Sequence, residues 1–430
     1  MIVQPAFGQR VKQLRRQLGL PQAEVAGTEM SASYISLVES GRRTPSDEMA
    51  RIIARRLGVE VAELAAPPDP PVRPGRRMNL ASRLVAAGSV RAGGDLDSAR
   101  SLAEALVADI DSPDDDDLSW EARWLLAEIL AQQHDFARYD GALEQLRTHP
   151  FTADSPELLT RVAAATAEHA RQRGRLEACV ATAETALVVA EGLPVTAPER
   201  LQLETTLLAA FAMGEEVRQA EPLAAHLMEV LPDVATRFAR SNILWTTAAV
   251  RFLGGVPGAA AELIEQALAE VTPAADLARW AALCRSAAAI RLGGDGGLDP
   301  VWERLRRSRQ AFELIGAPVD LAELAGLEAL AHLKDANPDA AVQSIDSAPA
   351  DLGDASPVRR AGVCIAVGRA RAGAGQQGQA LAAYRQAAEL YEESGMYKSA
   401  VRVWRELNGV VEAGTSIEPA MAGWPAVMLP

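Results

Sequence analysis

The sequence predicts an all-α protein in which a small N-terminal helical domain is followed by a long α-solenoid of stacked helix pairs. Apolar residues recur three and four positions apart through most of the chain, which is the period of amphipathic helices. Turn-forming residues recur about every 40 positions in the larger part, as in repeat architectures. A proline-rich stretch over residues 66–78 separates the two parts.

The first two helices of the N-terminal domain follow from apolar spacing and from glycine and proline. The apolar positions of the first helix are spaced four, three and four residues apart: Phe7, Val11, Leu14 and Leu18. Gly19 can adopt the left-handed backbone that ends a helix. Pro21 suits the start of a second helix over Gln22–Ala26, where a missing N–H costs nothing.

A cap and two apolar anchors predict the third helix. The Ser31 hydroxyl can accept a backbone N–H of the first turn, and Ile35 and Val38 would fix the helix to the core. Ser46 is placed to cap a fourth helix in the same way. Residues 59–64 complete the domain as a short fifth helix.

Three segments of this domain resemble the phage-repressor or Xre-type helix-turn-helix family. They are QAEVA (Gln22–Ala26), SYISLVESGRRTPS (residues 33–46) and LGV (residues 57–59). The resemblance covers residues 1–65 and implies a five-helix helix-turn-helix domain whose third helix enters the major groove of double-stranded DNA. The link over residues 26–31 is shorter than the usual family turn by about one residue, which leaves the register of the base contacts open.

The same resemblance implies one set of residues that reaches the DNA backbone and another that faces base edges. The first set is Gln22, Tyr34, Arg42 and Arg43, and the second is Ala32, Ser33, Ser36 and Leu37. Arg15 and Glu39 match a partly buried ion pair between the first and third helices of the family. The alternatives are that Tyr34 packs on the domain and that both arginines are ordinary loop charges.

The face assigned to base contacts carries little chemistry for direct readout. It has no arginine, glutamine or asparagine for a bidentate base contact, while Ala32 and Leu37 can meet only thymine methyl groups. We therefore expect modest discrimination per half-site. A homodimer, DNA deformability or both would have to supply the rest.

Charge is divided unevenly along the chain, whose formal net charge is −14. Residues 1–65 hold nine basic and seven acidic side chains, whereas residues 66–430 hold 34 and 50. Positive charge is thus concentrated where phosphates would lie, as DNA contact requires. The acidic remainder should repel DNA.

Several functional classes lack support in the sequence. The three cysteines, Cys179, Cys284 and Cys364, are too far apart for a disulfide framework or a zinc site. No secretion signal and no long apolar run are present, so we expect a cytoplasmic protein that contacts no membrane. The sequence contains no recognisable set of catalytic residues, so we expect neither an enzyme nor a bound cofactor or metal.

The predicted linker over residues 66–78 contains five prolines: Pro67, Pro68, Pro70, Pro71 and Pro74. Proline favours an extended backbone, so this stretch should act as a semi-rigid spacer between the two domains.

The predicted solenoid spans residues 79–411 and repeats its turn positions at a regular spacing. These positions are Gly94, His134, Gly174, Gly214, Gly254, Asp295, Asp335 and Gly375. The clearest unit, with Gly368, Gly375, Ala380, Tyr384 and Ala387, resembles the tetratricopeptide signature. We predict about eight tetratricopeptide-like (TPR-like) helix pairs over residues 79–393, closed by a helix over residues 394–411.

A solenoid of this kind has a concave inner wall, formed by the first helix of each pair. Predicted wall residues that could bind an effector are Arg161, Arg171, Asn242, Trp245 and Arg285, with Glu121, Trp124, Glu128 and Glu168 beside them. Asn242 could bond a peptide backbone, and Trp245 could stack on a ligand. The alternative is that Trp124, Trp245 and Trp280 belong to the core between helices.

The tail over residues 412–430 has two acidic residues, no basic ones and an apolar end, AMAGWPAVMLP. It is either disordered or packed against the solenoid. One hypothesis is that it occupies the concave groove as an internal ligand.

Taken together, the two resemblances imply a homodimeric bacterial regulator whose TPR-like domain senses a peptide, protein or small-molecule effector and sets the dimer geometry. The alternative is a TPR protein-interaction scaffold whose DNA binding is weak or vestigial. Enrichment of a recurring, roughly palindromic DNA sequence would distinguish a regulator from a scaffold.

Overall fold

A computed structural model of the chain describes residue 2 and residues 4–65, 75–110, 115–353, 355–413 and 424–430. All regular elements in these ranges are helices. Contacts divide the chain into two compact units, the first ending at Val85 and the second beginning at Ala86. Each unit is described by itself.

The first unit contains five short helices and the first ten residues of a sixth helix, Arg76–Ala92. The five short helices are α1 (Ala6–Gln17), α2 (Gln22–Ala26), α3 (Ala32–Glu39), α4 (Asp47–Leu57) and α5 (Val61–Ala65). Ser31 Oγ accepts the Tyr34 N–H at 3.1 Å and Ser46 Oγ accepts the Met49 N–H at 3.3 Å, so both predicted caps are present. Ile35 and Val38 are completely buried and anchor α3 in the core.

Two features of this unit differ from the sequence-based interpretation. Leu18 is 53% exposed, because α1 ends at Gln17 and Gly19 then turns the chain with a φ of +67°. Leu18 therefore does not belong to the buried face. The close approach of the α1 backbone to the end of α3 at Gly8 was not predicted, although the Arg15–Glu39 pair between the two helices was. A Cβ atom on Gly8 would lie only 1.9 Å from the Val38 carbonyl oxygen.

Most of the predicted linker lies outside the described residues. The next helix, α6, begins at Arg76, so residues 76–78 are helical rather than part of an extended spacer.

Eight helix pairs follow, as predicted, within the described part of the chain. Their bounds are α6 (Arg76–Ala92) with α7 (Leu96–Asp109), α8 (Asp116–Gln132) with α9 (Phe136–Arg147), α11 (Pro156–Gln172) with α12 (Leu176–Ala190), α13 (Pro198–Met213) with α14 (Val217–Val230), α15 (Arg237–Leu253) with α16 (Pro257–Ala269), α17 (Leu277–Leu292) with α18 (Asp299–Ile315), α19 (Pro318–Lys334) with α20 (Pro338–Asp346), and α21 (Pro357–Gly373) with α22 (Gln377–Glu393). A one-turn helix, α10 (Pro150–Ala153), precedes the third pair, and α23 (Tyr397–Ala413) closes the series.

The turn inside most pairs is made by a residue with a left-handed backbone. These residues are Gly94, His134, Gly174, Glu215, Gly255, Ala336 and Gly375. They coincide with the predicted turn positions or follow them by one residue. The turn around Asp295 is the exception, because a longer glycine-rich connection joins α17 and α18 there.

The tetratricopeptide-like unit near the end of the solenoid packs as its signature predicts. Tyr384 is completely buried against Gly368, where an added Cβ would lie 2.9 Å from the ring carbon Cζ. Ala380 and Ala387 are also fully buried. Small residues thus let α21 and α22 approach each other, and the tyrosine ring fills the space between them.

The second unit curves until its later helices meet its earlier ones. Lys398 and Arg402 of α23 form ion pairs with Glu216 and Glu215, which lie between α13 and α14. The first helices of successive pairs, α11, α13, α15, α17, α19 and α21, contact one another in series. They line a lumen, and most residues of α13 and α15 are buried.

All three cysteines lie in this unit, and burial raises their pKa values. The pKa is about 12 for Cys179 and about 11 for Cys284 and Cys364. Because the thiolate is the reactive form, we expect negligible reaction of the folded protein with Ellman's reagent at mildly alkaline pH and reaction of all three thiols in concentrated guanidinium. A thiol that reacts rapidly in the folded chain would contradict this packing.

Among the helices of the described ranges, none has the length and apolar character needed to cross a bilayer.

Candidate functional site

The outward face of α3 is the first candidate site. Its exposed residues are the four assigned to base contacts: Ala32, Ser33, Ser36 and Leu37. Ile35 and Val38 lie on the opposite face and are completely buried. The apolar anchors therefore leave the other side of the helix free to contact a partner.

Arg42 and Arg43 lie beside this face, in the loop between α3 and α4, and both are exposed. Their backbone N–H groups donate to the Leu37 carbonyl oxygen at 3.0 and 3.1 Å, which fixes the loop against the end of α3. The Arg43 guanidinium carbon lies 5.0 Å from the centre of the Tyr34 ring, as in a cation–π contact. Tyr34 is half-buried, so it packs on the domain and also supports Arg43.

A shallow cavity of about 450 Å³ lies where the N-termini of α3 and α4 come together. Ser31, Tyr34, Arg43, Thr44 and Ser46 contribute to its lining. Helix N-termini present unpaired N–H groups and a partial positive charge, and Arg43 adds a full one. The cavity thus places hydrogen-bond donors suited to a phosphate group next to the exposed face of α3, and the Glu29 carboxylate that also lines it is paired with Arg56.

A buried ion pair holds α1 against α3. Arg15 Nε and Nη2 donate to the two Glu39 carboxylate oxygens at 2.5 and 3.0 Å. Burial opposes ionisation of Glu39, but the hydrogen bonds from Arg15 and Gln22 outweigh it and keep its pKa below the ordinary value. Gln22 Nε2 donates to Glu39 at 2.8 Å, so the side chain assigned to a phosphate uses one amide hydrogen here and retains the other.

The second candidate site is the lumen of the solenoid, which contains an open cavity of about 660 Å³ lined by residues of α8, α9, α11 and α13. Its aromatic lining consists of Trp124, Phe136, Tyr139 and His169, and its charged lining of Glu128, Arg161, Glu168 and Glu199. Burial raises the pKa of Tyr139 to about 12 and lowers the pKa of His169. Both rings are therefore neutral near pH 7.

The structure separates the five predicted effector-binding residues into three groups. Arg161 lines the cavity and pairs with Glu199. Arg285 and Asn242 are engaged by other side chains of the wall. Arg285 pairs with Asp320 and Glu323, and Asn242 accepts a hydrogen bond from Arg279. Arg171 and Trp245 form the third group, because both contact residues 424–430.

Residues 424–430, named here the distal segment, lie inside the lumen. The side chains of Trp424, Val427, Met428 and Leu429 are almost completely buried. Three side chains donate to main-chain oxygens of the segment: Ser286 Oγ to Val427 at 3.2 Å, Trp245 Nε1 to Met428 at 2.8 Å, and Arg171 Nη2 to Pro430 at 2.7 Å. Trp245 therefore acts as a hydrogen-bond donor within the core rather than as an exposed stacking surface.

The indole of Trp424 occupies a slot between α19 and α21 that two glycines create. An added Cβ would lie 2.0 Å from Trp424 Nε1 at Gly362 and 2.8 Å from Trp424 Cη2 at Gly326. Glycine inside a helix is less favourable than alanine by about 0.5–1 kcal/mol. Gly326 and Gly362 therefore destabilise their helices but leave the space that the indole ring occupies. Interior glycines in two predicted helices were the sequence signal for this slot, and we did not interpret them.

Comparisons with known proteins agree with this two-part description. A family model described as Helix-turn-helix matches residues 11–64. The uncharacterized HTH-type transcriptional regulator y4dJ of Sinorhizobium fredii (strain NBRC 101917 / NGR234) is 39% identical over 70 residues, which are 16% of this chain and 91% of that protein.

Two solved structures resemble the chain at larger scale. A Rap protein complexed with competence and sporulation factor matches with a TM-score of 0.50 at 10% identity, over 95% of this chain and 98% of that chain, and it shows a shared fold. PlcR of Bacillus thuringiensis, in complex with the peptide PapR7 and DNA, matches with a TM-score of 0.33 at 10% identity, over 72% of this chain and 95% of that chain.

Proposed function

We propose that this chain, which belongs through its N-terminal domain to the helix-turn-helix transcriptional regulators, binds specific sites in double-stranded DNA as a homodimer and responds to an effector. The observation that carries the proposal is the exposed face of α3, with Ser33 and Ser36 outward and Ile35 and Val38 buried behind them. A helix held in this way can enter a major groove while its flanking loop contacts phosphates.

The roles of individual residues follow from their chemistry. Arg42 and Arg43 would contact phosphates, as would Gln22 through its free amide hydrogen and Tyr34 through its hydroxyl. The four exposed residues of α3 would meet base edges, where serine hydroxyls discriminate weakly. Two such domains in a dimer would then read half-sites about one helical turn apart.

The second unit would supply the response to the effector, which we place in its lumen. Its fold is shared with a Rap protein solved in complex with competence and sporulation factor. Fold alone does not transfer function, so a ligand in this lumen is our inference from the donors and the cavity described above. An effector can change DNA affinity only if it favours one arrangement of the dimer over another. Such a regulator would work in the cytoplasm.

The test is selection of genomic DNA fragments by the full-length protein at several salt concentrations. We expect enrichment of a recurring, roughly palindromic sequence and an affinity that falls steeply with salt. Changing Arg42 and Arg43 to serine should reduce the salt slope by about two, one for each lost phosphate contact. Enrichment of no sequence, with equal and weak retention of all fragments, would favour the interaction-scaffold alternative.

A further inference from the structure

The distal segment is held in the lumen as a bound peptide would be held. The donors Arg171, Trp245 and Ser286 come from three different helices, α11, α15 and α17, and each bonds a main-chain oxygen. Main-chain oxygens are present in every peptide, so these donors do not require the sequence of this segment. Sequence preference would come from the apolar surroundings and from the indole slot at Gly326 and Gly362.

We propose that the distal segment is an internal ligand that occupies the effector site, and that the effector is an extended, mainly apolar peptide with an aromatic residue. The peptide and the segment would use the same donors and the same slot, so that binding of one excludes the other. This inference rests on the proposed function, because it names the ligand class and the competitor at the site assigned to the effector.

Two observations indicate that the segment can be displaced. The Trp424 side chain is fully buried, yet its indole N–H has no hydrogen-bond acceptor among the described residues. A buried donor without an acceptor weakens the hold of the lumen on the segment. A competing peptide whose aromatic residue lacks that N–H would avoid this loss.

The second observation is open volume close to the residue that anchors the opposite end of the segment. Arg171, which bonds Pro430, also bonds both carboxylate oxygens of Glu168, at 2.9 and 2.6 Å. Glu168 lines the 660 Å³ cavity, so open volume lies next to the anchor of Pro430. A peptide entering through this cavity would reach Arg171 first and could replace the segment from that end.

The experiment measures binding of a fluorescein-labelled synthetic peptide, WPAVMLP, by fluorescence anisotropy. The proteins are the full chain and a chain lacking residues 414–430. An attached ligand acts at an effective concentration in the millimolar range, so we expect the shortened chain to bind the probe at least about tenfold more tightly. Adding Gly362→Ala to the shortened chain should abolish the gain, because the new Cβ fills the indole slot.

Gly141→Ala in the shortened chain is the matched control. Gly141 lies inside α9 with no atom within 4 Å of an added Cβ, so this change should leave probe binding unaltered. If the shortened chain does not fold, Trp424→Ala in the full chain replaces it and should also increase probe binding. The inference is overturned if the shortened chain or the Trp424→Ala variant is helical and melts cooperatively but does not bind the probe. It is also overturned if the unaltered chain binds the probe equally well.

Operator affinity of the same proteins separates this inference from the proposed function. One outcome is that the probe and the segment compete without any change in operator affinity. That result would support the proposal of an internal ligand and contradict the proposed control of DNA binding by the effector. The opposite outcome is an operator affinity that depends on residues 414–430 while the shortened chain does not bind the probe. It would support the proposed regulatory function and overturn the proposal that the distal segment is an internal ligand.

Discussion

Changing both Ser33 and Ser36 to glutamate should lower the affinity for operator DNA by about a hundredfold or more. Both side chains are exposed on α3, so the substitutions leave the buried face formed by Ile35 and Val38 intact. In the proposed complex, however, they would place two carboxylates between the phosphate backbones of a major groove. Like charges brought together at an interface cost several kcal/mol. Electrophoretic mobility shift at fixed salt measures the effect.

The control for this variant adds a carboxylate elsewhere on the same domain. Ala62 is exposed on α5, which packs on α1 and α4, so Ala62→Glu changes the net charge without changing the outward face of α3. It should lower the affinity only slightly. If the Ser33/Ser36 variant and the Ala62 variant lost the same DNA affinity, the outward face of α3 would not be the surface that contacts DNA.

The second large effect is expected from Glu39→Ala, which should destabilise the N-terminal domain by about 3 kcal/mol or more. The change removes the charged partner of the largely buried Arg15 guanidinium, which keeps its bond to the Leu20 carbonyl oxygen, and it also removes the acceptor of Gln22. Hydrogen exchange in the full chain reports the effect, because amides of α1 and α3 exchange through opening of this domain. Their protection should fall by about a hundredfold or more, while that of α13 and α15 stays unchanged.

Replacing both partners is the informative control. Arg15→Met with Glu39→Leu removes the charges together and keeps apolar side chains of similar size at the contact. Such replacements are often neutral or stabilising, so protection should return close to that of the unaltered chain. A double variant as unstable as Glu39→Ala would show that the ion pair is not the cause of the loss.

The sequence predicted those features that depend on neighbours close in the chain. Ser31 and Ser46 cap helices through N–H groups three residues away. The repeated turns depend on local backbone conformation, and Tyr384 packs against Gly368 within one helix pair. Leu18 was misplaced because apolar spacing alone does not show where a helix ends.

The features that escaped prediction depend on residues far apart in the chain. Arg285 was predicted to bind an effector, and that stays a prediction, but its ion pairs with Asp320 and Glu323 of the next pair were not predicted. Asn242 is engaged in the same way by Arg279. The apolar end of the chain suggested burial in the groove, but the partners of the distal segment depend on how the solenoid curves around it. The positions of the helix pairs along the sequence do not determine how strongly the solenoid curves.

The most direct test of the central claim, that the outward face of α3 contacts DNA, is alkylation of a cysteine placed there. Ser36→Cys is nearly isosteric. The three natural thiols have raised pKa values, and they are buried at Cys179 and Cys284 and half-buried at Cys364. Saturating operator DNA should strongly slow alkylation of the introduced thiol in the Ser36→Cys variant. In the Ala62→Cys variant the DNA should leave the alkylation rate unchanged. Equal alkylation of the position 36 thiol with and without bound DNA would contradict the account.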